Sequence, residues 1–114
     1  MTIVRLNAED RWSDAIINNG TMYFTVVPEI DGADAQQQVE NCLGQIEAML
    51  QERGGDKTRL IDVTVFLADR NDFAALNRAW DAWVVHGKAP VRTTVQALLM
   101  NPDWKVEIKV IAAI

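Results

Sequence analysis

Arg92 and Glu107 are the residues of this chain best suited to chemistry. An arginine guanidinium is planar and permanently charged, so it binds a carboxylate through two parallel hydrogen bonds. A glutamate facing it can hold or activate a water. Arg92 opens a strand-like stretch, Arg92-Thr93-Thr94-Val95-Gln96-Ala97, and Glu107 lies inside another, Val106-Glu107-Ile108-Lys109-Val110. The Asn-Pro-Asp turn at 101–103 is able to fold these strands against each other. Cation and carboxylate would then face one cleft, a site for a small carboxylate-bearing substrate. Spacing alone favours the plainer alternative, a cross-strand surface ion pair of little energetic weight.

Other residues are weaker candidates. Asn77 sits between Leu76 and Trp80, close to an apolar helical stripe, where a mediocre helix former and buried amide needs partners. It either caps a neighbouring loop, the commoner case, or points into a site. Trp80 and Trp83 stand at helical spacing and read as core, Trp12 could line a pocket, and Trp104 lies near a turn. His86, the one histidine, adjoins Gly87 at a helix end, where a protonated ring suits the helix dipole. Cys42 falls on a helical stripe and reads as a small core residue. Asp62, Asp69 and Asp72 form no metal constellation.

These residues must be positioned by a chain of 114 residues, which fits a single domain, 1–114. An apolar fraction of 49% supports a core, and so small a domain gains from subunit association. A net charge of −5 argues against general nucleic-acid binding, which calls for a basic stripe. One cysteine excludes an intrachain disulfide and the paired-cysteine metal patterns. No secretory leader or bilayer-spanning run is expected, so the natural compartment is the reduced cytoplasm.

The hydrophobic pattern predicts the order β-β-β-α-β-α-β-β. Thr2 to Leu6 is extended. Asn19-Gly20, between Ala15-Ile16-Ile17 and Met22 to Val27, marks a hairpin because both residues tolerate positive φ. Asp34 caps a helix whose stripe is Val39, Cys42, Leu43, Ile46, Met49 and Leu50, and Gly54-Gly55 stops it. Thr58 to Ala68 is a strand with Ile61, Val63, Val65 and Leu67 on one face. Asn71 is expected to cap a second helix with the stripe Phe73, Leu76, Trp80, Trp83 and Val84, ended by Gly87. Strands from Val91 to about Leu98 and from Trp104 to Ile114 complete an α+β domain: one sheet, two helices on one face, and a second face apolar enough to need another subunit.

Three segments together resemble the reactive intermediate deaminase family (Rid, YjgF-like or RutC-like), in its bacterial YoaB-type branch. They are Ala68-Asp69-Arg70-Asn71-Asp72-Phe73-Ala74-Ala75-Leu76-Asn77, Ala89-Pro90-Val91-Arg92-Thr93-Thr94-Val95-Gln96-Ala97 and Lys105-Val106-Glu107-Ile108-Lys109-Val110-Ile111-Ala112. The pattern is specific as an ensemble and covers essentially the whole chain. The resemblance implies a chorismate-mutase-like fold whose sheets form a trimeric barrel with intersubunit clefts. It implies hydrolysis of reactive imino or enamine acids to 2-keto acids and ammonia, with no cofactor or metal.

Carried onto this chain, the resemblance makes Arg92 the carboxylate anchor, Glu107 the water-positioning group and Asn77 the cleft asparagine. Trp12 takes the place of the tyrosine that closes the cleft, Thr25-Val26 that of Ser-Gly, and Thr94 that of a cysteine. The Asn77-to-Arg92 segment is slightly short. These departures point to an altered substrate preference. Two readings follow: an imine deaminase, or a non-catalytic trimeric module that binds small 2-keto acids. Both need Arg92, and only the first needs Glu107.

Overall fold

Asn19 and Gly20 adopt positive φ (54° and 77°), and the chain reverses there as the sequence predicts. In this computed structural model the described residues are 2–114. The turn joins β2 (Ala15–Asn18) to β3 (Thr21–Val26), and β1 (Ile3–Leu6) pairs with β2 to extend the antiparallel meander. Helix α1 (Ala35–Glu52) starts at Asp34, whose side chain accepts from the Gln37 amide while the Gln37 side chain accepts from Asp34 N–H. This reciprocal pair satisfies two otherwise orphaned donors. The helix stops before Gly54, which takes a φ of 75°.

Strand β4 (Leu60–Leu67) follows a 3-10 turn at Lys57–Arg59, and α2 (Phe73–Trp83) follows another at Arg70–Asp72. Two local expectations need correction here. Asn71 does not cap α2: the side chain of Asp69 accepts from the Asn71 amide and caps the 3-10 turn instead. Ile61 does not join Val63 on the core face. The ladder steps from Leu60↔Ala112 to Asp62↔Ile111, so Ile61 is the extra residue of a bulge and is 46% exposed. The bulge is what lets both Leu60 and Val63 face inward.

Strands β5 (Val91–Gln96) and β6 (Val106–Ala113) end the chain order β-β-β-α-β-α-β-β, but they are not neighbours. The sheet order is β1-β2-β3-β6-β4-β5. The predicted hairpin through 101–103 therefore does not form. Residues 101–103 make a local turn in which the Asn101 side chain accepts from the Asp103 amide. With α2 as a crossover, β5 lies parallel to β4 on the sheet edge. This leaves β6 to pair antiparallel with both β3 and β4.

One face of this sheet is covered. Met22, Phe24, Val26, Val63, Val65, Leu67, Val106, Ile108, Val110 and Ala112 are buried in one cluster with the α1 stripe and with Leu76, Ala79 and Trp80 of α2. Their apolar area removed from water is the main favourable contribution to folding. The other face carries Ile16, Tyr23, Thr64, Phe66, Val95 and Ile111, all half-buried or exposed. No helix of the described residues is long and apolar enough to cross a membrane.

Candidate functional site

Arg92 lies directly opposite Val63 in the parallel ladder, so its side chain leaves β5 on the face that the helices cover. Helix α2 presents three groups to it at positions i, i+4 and i+7, which share one helical face. The Asn77 Oδ1 accepts from the Arg92 terminal amine at 2.8 Å. The guanidinium carbon stands 5.8 Å from the Phe73 ring centroid and 5.3 Å from that of Trp80. Cation–π contacts of this length hold the plane of the cation against the rings. Burial pulls the Arg92 pKa below its ordinary value, with Asp81 acting in the opposite sense, and a guanidinium remains charged at physiological pH despite such a shift.

Thr94 follows on the same face of β5, opposite Val65. Its hydroxyl oxygen is buried and has no hydrogen-bond partner among the described residues. A cleft of about 290 Å³ opens here, lined by Leu67, Arg70, Asn71, Phe73, Thr94, Val95 and Gln96. The Gln96 side chain accepts from the Arg70 amide at 3.1 Å and ties the end of β5 to the turn before α2. A larger cleft of about 450 Å³ lies between the loops at 28–33 and 101–105. None of the expected site residues lines it.

Glu107 is elsewhere. It pairs with Phe66, and both side chains leave the sheet on the face away from the helices. Arg92 and Glu107 therefore point to opposite faces of one protomer, and the single-chain cleft expected from the sequence is corrected. The cause is the interposed strand β4 together with strict alternation along each strand. Thr25 shares the Glu107 face, opposite Lys109. Trp12 sits in the connection after β1, 61% exposed, at the same end of the sheet. The Val26 side chain is buried in the core opposite Ile108, so only its backbone could approach a ligand.

The seven expected residues thus divide into two sets. Arg92, Asn77 and Thr94 lie on the helix side of the edge strand. Trp12, Thr25 and Glu107 lie at or beyond the open face, while the Val26 side chain is part of the core. The sequence reading missed Phe73 and Trp80 as partners of Arg92; their spacing around Asn77 on one helix carried the signal. Cys42 is fully buried, and that burial, helped by the carboxylates of Glu29 and Glu107, pushes its thiol up to about 12. It is a core residue and no nucleophile. His86 sits after α2 with its Nε2 3.0 Å from the Asp81 carbonyl oxygen, near the helix end as expected. No group of three or more His, Cys, Asp or Glu among the described residues could hold a metal ion.

Comparison with known proteins agrees with this fold. The family described as endoribonuclease L-PSP matches residues 2–114. A RutC family protein, YoaB of Escherichia coli strain K12, is 61% identical over 114 residues, covering 100% of both chains. A solved member of the YjgF protein family from Neisseria meningitidis is 39% identical, covers 99% of this chain and 95% of its own, and superposes with a TM-score of 0.93. YyfA from Yersinia pestis, of the Rid protein family, is 26% identical over 94% of this chain and 90% of its own, with a TM-score of 0.85.

Proposed function

The chain belongs to the endoribonuclease L-PSP family, also called Rid, YjgF or RutC, in its YoaB-type branch, and from that premise we propose that it hydrolyses reactive 2-imino or enamine acids to 2-keto acids and ammonia. The observation that carries this reading is the positively charged Arg92, held by Asn77 two residues before Thr94, which with Phe73 lines a small cleft. Arg92 binds the substrate carboxylate. Backbone groups near Thr94 hold the imine nitrogen. Glu107 takes a proton from water as the water oxygen bonds to the imine carbon, and delivers it to nitrogen to give a carbinolamine. It then carries the hydroxyl proton to nitrogen as the carbon–nitrogen bond breaks, releasing ammonia and the 2-keto acid. Positioning and electrostatics supply most of the rate.

The opposite placement of Arg92 and Glu107 is accommodated by a homotrimer in which each cleft takes Arg92, Asn77 and Thr94 from one subunit. The neighbour then supplies Glu107, Trp12 and the Thr25–Val26 backbone. The uncovered apolar sheet face supports such an assembly, because a domain of this size rarely leaves so much apolar surface wet. A cytoplasmic setting goes with this reading, since its substrates are released by metabolic enzymes there. The family's description as an endoribonuclease finds no support in a chain of net charge −5.

A second reading keeps Arg92 and drops catalysis: a trimeric module that binds a small 2-keto acid. The separation of Glu107 from Arg92 within one protomer favours it. Ammonia release decides between them, with fresh imine generated in situ by an amino acid oxidase. Acceleration above the spontaneous rate that disappears in Arg92→Ala supports the deaminase. Keto-acid binding without acceleration supports the module.

A further inference from the structure

We propose that Asn77 is a positioning residue that fixes Arg92 without neutralising it, with Phe73 and Trp80 setting the plane of the guanidinium. This rests on the carboxylate-anchoring role proposed for Arg92 above. Among the described residues Arg92 has no acidic partner in salt-bridge contact, and the Asp81 carboxylate acts on it only from a distance. The one ion pair found among the described residues joins Lys57 to Glu47 at 3.9 Å, on another part of the molecule. The hydrogen bond that a half-buried guanidinium needs comes instead from a neutral amide oxygen, at 2.8 Å. A guanidinium has five N–H donors, and Asn77 takes one, which leaves a fork for a carboxylate. The two rings add attraction and steric confinement without using a donor.

The arrangement also accounts for Phe73, which is 46% exposed at the start of α2 although it belongs to the predicted apolar stripe. Its ring serves the cation rather than the core. An aspartate at position 77 would have nearly the same shape and could accept the same hydrogen bond. It would also form an ion pair with Arg92 and cancel the charge an incoming carboxylate requires. The neutral side chain is therefore the functional choice, and an acidic one would stabilise the empty protein at the expense of the ligand.

Calorimetric titration of the native assembly with 2-ketobutyrate tests this, with melting temperatures measured alongside. Asn77→Asp is expected to melt at or above the wild-type temperature and to bind about tenfold more weakly, the gap between hydrogen bonds to charged and to neutral groups. Asn77→Ala is expected to lose affinity as well, because Arg92 is no longer held. Trp80→Phe, which keeps a ring, should retain more affinity than Trp80→Leu. The proposal is overturned if Asn77→Asp binds 2-ketobutyrate as tightly as wild type. It is equally overturned if affinity falls only in variants that also melt earlier, since that describes a structural residue. If wild type and Arg92→Ala bind alike, the anchoring role of Arg92 fails first, and that of Asn77 with it.

Discussion

The two faces of the sheet are finished to different degrees. On the helix side the inward residues of β3, β4 and β6 are buried, and Arg92 on the edge strand is gripped by an amide and two rings. On the open side Glu107, Thr25 and Lys109 make no side-chain hydrogen bond or ion pair among the described residues, and Tyr23, Ile61, Val91 and Val95 are left 38–66% exposed. The helix side is preorganised by the chain itself. The open side has its residues in place and lacks a covering, which is the condition expected of a surface that another subunit completes.

The sharpest way to break this contrast is at Glu107. Glu107→Gln keeps shape and most hydrogen bonding and removes the base, so ammonia release should fall by about 10²–10⁴-fold, the usual contribution of general base catalysis. 2-Ketobutyrate binding should persist, since the helix side is untouched. Turnover equal to wild type would show that the open face supplies no base.

Ile111→Asp puts a carboxylate in the middle of the open face, between Tyr23 and Asp62 in the ladder. Burying an unpaired charge costs several kcal/mol, so light scattering should show dissociation to smaller species. An unchanged mass would mean that this face stays wet in the native protein.

On the finished side the effects should be smaller. The Cys42 pKa is raised from 9.0 to about 12. Its stabilising effect is full below the unfolded thiol's value and is lost as pH rises from there through the folded one. Wild type should thus lose melting temperature between pH 8 and pH 10.5 more steeply than Cys42→Ala, whatever their offset at neutrality. Parallel curves would show that the helix-side interior admits water.

Thr94→Val should have the smallest effect. Removing a buried hydroxyl that lacks a partner should raise stability by about 1 kcal/mol, seen as a few degrees in melting temperature. A lower melting point would reveal a partner for that hydroxyl across a subunit boundary.

The local structure was legible in the sequence because local rules decide it. Asn19-Gly20, the Asp34 cap, the α1 stripe and the strand periodicities all involve residues within a few positions of each other. The strand order was not legible in the same way. Alternation tells which side chains share a face of one strand, and nothing in it says that β4 lies between β5 and β6. A helix between β4 and β5 was the available clue, since it permits a parallel pair and leaves β6 to lie elsewhere. The bulge at Ile61 escaped because four alternating positions, Ile61, Val63, Val65 and Leu67, fit a flat strand just as well. The Arg92 partners escaped because Phe73 and Trp80 read as core by hydrophobicity, and a cation–π role is visible only when the cation is brought to them.

The position of β6 in the sheet has a consequence for how the protein is made. The ladder that closes the sheet pairs Thr21 with Ala113 and Leu67 with Val106, so its central strand is synthesised after the other five. Until Val106–Ala113 has left the ribosome, β3 and β4 have no common neighbour, and their exposed edges can pair with other chains. Folding therefore waits for nearly the whole chain, and its long-range pairings make it slow for a domain of this length. A nascent chain stalled before Val106 should bind a holdase chaperone and remain protease-sensitive, whereas one carried past Ala113 on a flexible tether should become resistant.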